Sequence, residues 1–437
     1  MNQRNTLIKN IASLSIVQVV NYIFPLITVP YVSRIIGPEG YGVINYATAF
    51  IAYFTVFITY GFDLTATRRI ARFPHDSTEI SKIMSQVTVA RTLLLFVSVV
   101  VFIITVHLID ALSQNLWVSV ILFSGLIAIV ISPQYVFQGV QKLAIYAKVN
   151  FARGLLNMVM LFVLIQKRED YLWIPVLTSL LAILINIFLL IYAFRYLKIS
   201  YVKTSLKSSL ELVWTERFIF FSTIIISLYT TTNTIVLGFF ADMREIGYYT
   251  TSQNFLSIAS MVVTTPIATS IYPYIAKSFS ISKEEGVSTV RTIAPVVFYA
   301  TLAVSAGLLI FAPFCIRLFY GAEFDNSIIS LRILAFTPFI VGLSNLFGIQ
   351  TMLNLGLDKV FLKIATVCSI IGISLNFYMS KHFGYIGTAW NCILVETTVT
   401  IIMYFTLKRR GINVLQFRGL SPRALYINFN QYLTQKK

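Results

Sequence analysis

The chain has 437 residues, of which 57% are hydrophobic and 12% charged, and a formal net charge of +17. Soluble proteins carry about 25% charged residues, so this apolar surplus excludes a single water-soluble core and points to lipid as the solvent. The positive charge is scattered over short segments between apolar runs, which excludes the continuous basic footprint of a nucleic-acid-binding protein.

A basic leader with Arg4 and Lys9 precedes an apolar run that starts near Ile11. The run lasts about 22 residues, longer than the 7–15 of a signal-peptide core, and reads as an uncleaved first span. Apolar runs of helical length then recur. They predict about twelve spans, over 11–33, 42–66, 83–106, 116–138, 144–165, 172–194, 217–240, 247–275, 291–314, 328–353, 360–380 and 385–407. Each reaches the ~20 residues a span needs. Continuous runs of this length favour helices over barrel strands. The expected fold class is all-α integral membrane.

Lysine and arginine set the expected orientation. With the N-terminus inside, the cytoplasmic segments hold Arg4, Lys9, Arg68, Arg69, Arg72, Lys82, Lys142, Arg195, Lys198, Lys203, Lys207, Lys277, Lys283, Lys359 and Lys408 to Arg410. The opposite side holds Arg34, Lys167, Arg168, Arg244, Arg317 and Lys381. Both termini are therefore expected in the cytoplasm. The basic tail after Lys408 either lies on anionic headgroups or is a solvated topology anchor.

The two halves carry matching strings. Gly40-Tyr41 corresponds to Gly247-Tyr248, Ala71-Arg72 to Ala276-Lys277, and Gly139-Val140-Gln141-Lys142 to Gly356-Leu357-Asp358-Lys359. This predicts two six-helix lobes related by a pseudo-twofold axis along the membrane normal, with a path between them. The expected division is an N-terminal lobe at 1–195, a cytoplasmic connecting segment at 196–216, a C-terminal lobe at 217–410 and a basic tail at 411–437. The three cysteines, Cys315, Cys368 and Cys392, form no C-x-x-C pair, and His75, His107 and His382 fall far apart. Disulfides, metal sites and cofactors are not expected.

Polar groups inside spans are costly in hydrocarbon and tend to face the bundle interior or a wet cavity. Span 1 carries Gln18, Asn21, Pro25 and Thr28 on one helical face, and span 2 carries Asn45, Thr48, Thr55 and Thr59. Span 7 holds Ser222, Thr223, Ser227, Thr230 to Thr232, Asn233 and Thr234. Span 8 holds Gln253, Ser257, Ser260 and Thr264, with Asn254 alongside. Any one of these residues alone reads as bonding between neighbouring helices. The stripes together predict a cavity. Its expected substrate-binding residues are Gln18, Asn21, Asn45, Asn233, Gln253 and Asn254, with Arg91 and with Arg153 and Asn157 of span 5. Arginines in a cavity match pyrophosphate oxygens; the other reading of Arg91 and Arg153 is snorkelling to the interface. Asp63 and Glu396 are the ion-coupling candidates.

Several strings in order resemble the Wzx-type O-antigen and polysaccharide flippases of the multidrug/oligosaccharidyl-lipid/polysaccharide exporter superfamily. They are Phe24-Pro25-Leu26-Ile27-Thr28-Val29-Pro30-Tyr31, Arg34-Ile35-Ile36-Gly37-Pro38-Glu39-Gly40-Tyr41-Gly42, Tyr60-Gly61-Phe62-Asp63-Leu64-Thr65-Ala66-Thr67 and Phe137-Gln138-Gly139. In the second half they are Ile271-Tyr272-Pro273-Tyr274 and Leu343-Ser344-Asn345-Leu346-Phe347-Gly348-Ile349-Gln350. The resemblance implies a flippase that carries oligosaccharide on undecaprenyl pyrophosphate from the cytoplasmic to the periplasmic leaflet of the bacterial inner membrane. It also implies a polysaccharide polymerase and a chain-length regulator as partners. A multidrug or cation antiporter of the same architecture would want acids in the first-lobe cavity, where span 1 has none. A membrane polymerase would want a sizeable loop with a catalytic acid or base, and the outer loops are short. The chain reads as a transporter and not an enzyme.

Overall fold

The structure is a computed structural model that describes the backbone of residues 3–260 and 265–415, and the side chains there except those of 3–22, 222, 225–230 and 265–270. The expected stripe residues Gln18, Asn21, Ser222, Ser227, Thr230 and Thr264 lie outside the described side chains, as does the tail from 416. The described residues contain helices and turns and no strand.

The first helix, α1 (Gln3–Thr59), has 57 residues and turns non-helical at Gly37 (φ 70°, ψ 178°). Pro38 causes the break: it lacks an N–H and pushes the preceding residue out of the helical region, where glycine alone takes a positive φ without strain. Helix α1 ends on two left-handed residues, Tyr60 (φ 52°) and Gly61 (φ 83°). The expected second span is therefore cut at Thr59. Asp63 belongs to a separate short helix, α2 (Phe62–Ile70).

Asp76 caps α3 (Ser77–Leu108), accepting from the amides of Thr78 and Glu79 at 3.0 Å each. Four short helices follow: α4 (Asp110–Ser113), α5 (Leu116–Ser124), α6 (Ile127–Val130) and α7 (Gln134–Gly139). The span expected over 116–138 is thus broken, at Gly125 and before Pro133. Next come α8 (Leu143–Leu164), a 3₁₀ turn (Arg168–Leu172) and α9 (Trp173–Tyr196). Helices α10 (Leu206–Leu237), α11 (Met243–Ala259), α12 (Thr265–Ile281) and α13 (Lys283–Phe319) lead into a second broken region. That region comprises a 3₁₀ turn (Ala322–Phe324), α14 (Ser327–Leu334), α15 (Thr337–Phe347) and a π turn (Gly348–Leu353). The span expected over 328–353 is therefore three pieces. Helix α16 (Asp358–Arg409) has 52 residues and breaks at Gly384 (φ 55°, ψ −140°).

Eight stretches among the described residues are long and apolar enough to cross a membrane. Two of them, Ile23–Ile70 and Asp358–Arg409, run 48 and 52 residues. At 1.5 Å per residue each is about 70–80 Å long, more than twice the ~30 Å hydrocarbon core. The breaks at Gly37 and Gly384 divide them. The chain is a multi-pass membrane protein.

It forms two compact units: residues 1–247 with Phe319–Glu323, and residues 248–318 with 324–437. In the first unit α1 packs along α8 and α10, and α2 against α7. Small residues set the closest approach. A Cβ on Gly42 would lie 1.7 Å from the Met243 carbonyl oxygen, and one on Gly247 would lie 2.0 Å from that of Pro38. In the second unit α16 packs on α14, α15 and the π turn. Both units close a helix end with the same cap. The Lys142 amide donates to Phe137 O at 2.9 Å over left-handed Gln141. The Leu357 amide donates to Met352 O at 2.9 Å over left-handed Gly356.

Candidate functional site

Two of the expected charges meet in the first unit. The left-handed turn at Tyr60-Gly61 swings Asp63 to the start of α2, and Arg91 reaches it from the middle of α3. The Arg91 Nη2 donates to Asp63 Oδ1 at 2.6 Å. Its Nη1 donates to the carbonyls of Ile129 (2.9 Å) and Ser132 (3.3 Å), at the break before Pro133 where the helical ladder is interrupted. The guanidinium also sits 5.3 Å from the centre of the Tyr135 ring. The Arg91 side chain is 1% exposed, so it neither snorkels nor opens to a cavity, while Asp63 keeps 35%. A buried arginine is tolerable here because a carboxylate and two carbonyls accept hydrogen bonds from its Nη atoms, although its Nε is buried with no partner among the described residues.

Arg153 is placed differently. It lies ten residues into the 22-residue α8, about 15 Å from either end at 1.5 Å per residue. That is too deep for its side chain to clear a ~30 Å hydrocarbon core with ease. It is half-buried and makes no ion pair among the described residues. It lines a cleft of about 160 Å³ with Phe24, Pro25 and Thr28 of α1, Gly154 and Asn157 of α8, and Thr178 and Leu181 of α9. One helical turn from Arg153, the Asn157 Oδ1 is buried with no hydrogen-bond partner among the described residues. On the same helix Asn150 donates to the Tyr146 backbone carbonyl at 2.9 Å, and the Tyr146 hydroxyl lies in electrostatic reach of both Arg153 and Asp63. A fixed cation, an open amide oxygen and two threonines in an apolar wall can hold an anionic head carrying hydroxyls.

The other expected residues divide between the units. Asn45 donates to the Tyr41 carbonyl at 2.7 Å, within its own helix. About two turns further along α1, Tyr53 pairs with Thr232 of α10 at 2.6 Å, one residue from the half-buried Asn233. In the second unit Gln253 donates to the Tyr249 hydroxyl at 2.5 Å and lies beside Cys392. Half-buried Glu396 lies in electrostatic reach of Cys392 and Cys368. The structure thus joins Gln253 to the neighbourhood of Glu396, and joins Arg153, Asn157 and the Thr28 face of α1. Thr178 was not visible in the sequence: α9 has one isolated polar face in a strongly apolar helix, with no stripe to mark it. Among the described residues no group of His, Cys, Asp or Glu could hold a metal ion.

A bundle of apolar helices with a cationic, amide-bearing cleft inside it defines a polytopic membrane transporter. Residues 7–279 match the family model described as polysaccharide biosynthesis protein, and the chain belongs to that family. It is 27% identical over 409 residues to the Escherichia coli (strain K12) protein named "Putative O-antigen transporter", covering 93% of this chain and 98% of that one. A Shigella dysenteriae protein of the same name is 24% identical over 92% of this chain and all of its own length. Among solved structures, lipid II flippase MurJ in an inward closed conformation aligns with a TM-score of 0.69 at 16% identity, covering 98% of this chain and 93% of that one. An inward-facing multidrug resistance MATE family transporter aligns with a TM-score of 0.64 at 15% identity, covering 92% and 98%. These two share the fold.

Proposed function

We propose that the protein flips an oligosaccharide linked to undecaprenyl pyrophosphate from the cytoplasmic to the periplasmic leaflet of a bacterial inner membrane. The single observation that carries this is the Arg153 cleft. A cation fixed near the bilayer midplane, with no acid paired to it among the described residues, needs a mobile anion, and a diphosphate fits the guanidinium fork. Asn157 and Thr28 would bond the diphosphate or the first sugar. Gln18 and Asn21 extend the Thr28 face, and Asn45, Asn233, Gln253 and Asn254 would contact later sugars. Twelve spans in two six-helix lobes would rock in alternating access, with both termini cytoplasmic. Glu396 is the favoured coupling acid, because Asp63 is held by Arg91. The same pairing weighs against a cation antiporter that binds its cargo on a first-lobe carboxylate. A polysaccharide polymerase and a chain-length regulator would take the product.

The test is transfer of a fluorescent lipid-linked oligosaccharide across proteoliposome membranes. Arg153→Ala should abolish transfer at unchanged protein level, and Arg153→Lys should retain part of it, since a point charge replaces the fork. Undiminished transfer by Arg153→Ala would overturn the reading.

A further inference from the structure

Helix α10 is too long for the membrane it enters. Its 32 residues span about 48 Å at 1.5 Å per residue, which exceeds the ~30 Å hydrocarbon core by roughly 18 Å, about twelve residues. The surplus falls on the first turns, next to the basic segment that precedes them. Yet these turns are not polar. Leu206, Leu210, Trp214, Phe218 and Phe221 are 62%, 57%, 69%, 68% and 55% exposed. Their spacing of four, four, four and three residues puts them on one helical face.

One flank of the stripe is fixed. Ser209 is buried, and the ring of Phe220 stacks on Tyr60 at 4.3 Å and 3°. The connecting segment before α10 is pinned to α3, with the Ser200 amide on Ser81 Oγ at 3.0 Å and the Val202 amide on Ser85 Oγ at 2.9 Å. The apolar face therefore cannot roll inward. It is also interleaved with cations. Lys207 falls within the stripe by helical angle, and the Arg217 guanidinium stands 4.2 Å from the Trp214 ring centre and 4.5 Å from that of Phe218. Large apolar side chains, a tryptophan and snorkelling cations on one face match the boundary between headgroups and acyl chains.

We propose that the first four turns of α10 form an interfacial docking surface for anionic phospholipid, with the stripe in the acyl boundary and Lys207 and Arg217 on lipid phosphates. The connecting segment then fixes the depth of the first unit in the bilayer, and its seating depends on anionic lipid.

The experiment uses the full chain in nanodiscs of phosphatidylethanolamine with and without phosphatidylglycerol. Trp117, Trp173 and Trp390 are replaced by Phe, so that emission reports Trp214. Lipids brominated near the ester end should quench Trp214 strongly, lipids brominated near the chain terminus weakly, and aqueous iodide weakly. Emission should shift to the red when phosphatidylglycerol is omitted or when Lys207→Glu and Arg217→Glu are combined. If the tryptophan replacements impair folding, Leu210→Cys carrying an environment-sensitive dye gives the same readout. Strong iodide quenching would overturn the proposal by placing the stripe in water. Protection from both iodide and brominated lipid would overturn it by placing the stripe under protein, from a second copy or another partner. Emission indifferent to phosphatidylglycerol and to the charge reversals would overturn the anionic assignment.

Discussion

Removing either member of the Asp63–Arg91 pair perturbs the first unit unequally, and the structure sets the order. Asp63→Ala strands a guanidinium 1% exposed, with two carbonyls and one ring left to face it. Stranding one partner of a buried pair costs about 3–5 kcal/mol. Arg91→Ala strands a carboxylate 35% open to its surroundings, which water can reach, together with the carbonyls of Ile129 and Ser132. Screening of the exposed acid discounts the ionic part, so the loss is mostly that of the carbonyls' donors, about 1–3 kcal/mol. Asp63→Ala should therefore lower the thermal unfolding midpoint of the solubilised protein more than Arg91→Ala does. The double variant should be less damaged than the sum of the two. Flipping per folded molecule should survive Arg91→Ala and fail in Arg153→Ala. If Arg91→Ala keeps the wild-type midpoint and loses transport, its guanidinium serves the substrate and the reasoning is wrong.

Gly42→Ala and Gly247→Ala should each sharply reduce the monodisperse peak in size-exclusion chromatography. Their Cβ atoms would fall 1.7 and 2.0 Å from backbone oxygens that cannot move aside, which makes the overpacking cost at least the usual ~1–3 kcal/mol. Gln141→Gly should stabilise the protein by about 1 kcal/mol, because a left-handed residue with a side chain is replaced by one without that strain; an unchanged unfolding midpoint would contradict it. Arg168 and Glu323 pair within the first unit. Arg168→Glu with Glu323→Arg should restore the transport that either reversal alone reduces, and failure of the double reversal to recover would refute a direct role for the pair. Arg317 donates to both oxygens of Asp325 at 3.0 and 2.9 Å, holding that carboxyl below its ordinary 3.8. Its contribution to stability is full above the unfolded value and is lost as pH falls through the lower folded one. The Asp325→Asn variant should show a flatter unfolding midpoint across that acid window.

Hydropathy made the spans at 83–106, 144–165 and 172–194 legible, because in lipid an apolar run of that length has no alternative to a helix that satisfies its own backbone. The breaks were less so. Gly37-Pro38 carries its signal locally, since proline dictates the preceding backbone. The pieces of 116–138 and 328–353 carry local marks in Pro133 and Pro338, whereas the left-handed Tyr60 has no such mark of its own.

The same division runs through the site. Asn150, Arg153 and Asn157 were legible as one face of α8, because helical periodicity is a property of the local chain. Arg91 and Arg153 look alike in sequence, each a lone cation inside an apolar run. Which one is neutralised depends on an acid 28 positions away and on two carbonyls 38 and 41 positions away. Composition determined that this chain lives in a membrane, because so large an apolar share has no water-soluble core to fill. Only tertiary packing decided which intramembrane arginine meets an acid of its own chain and which makes no ion pair among the described residues, because electrostatic pairing acts across space and leaves no periodic mark on the residues that take part.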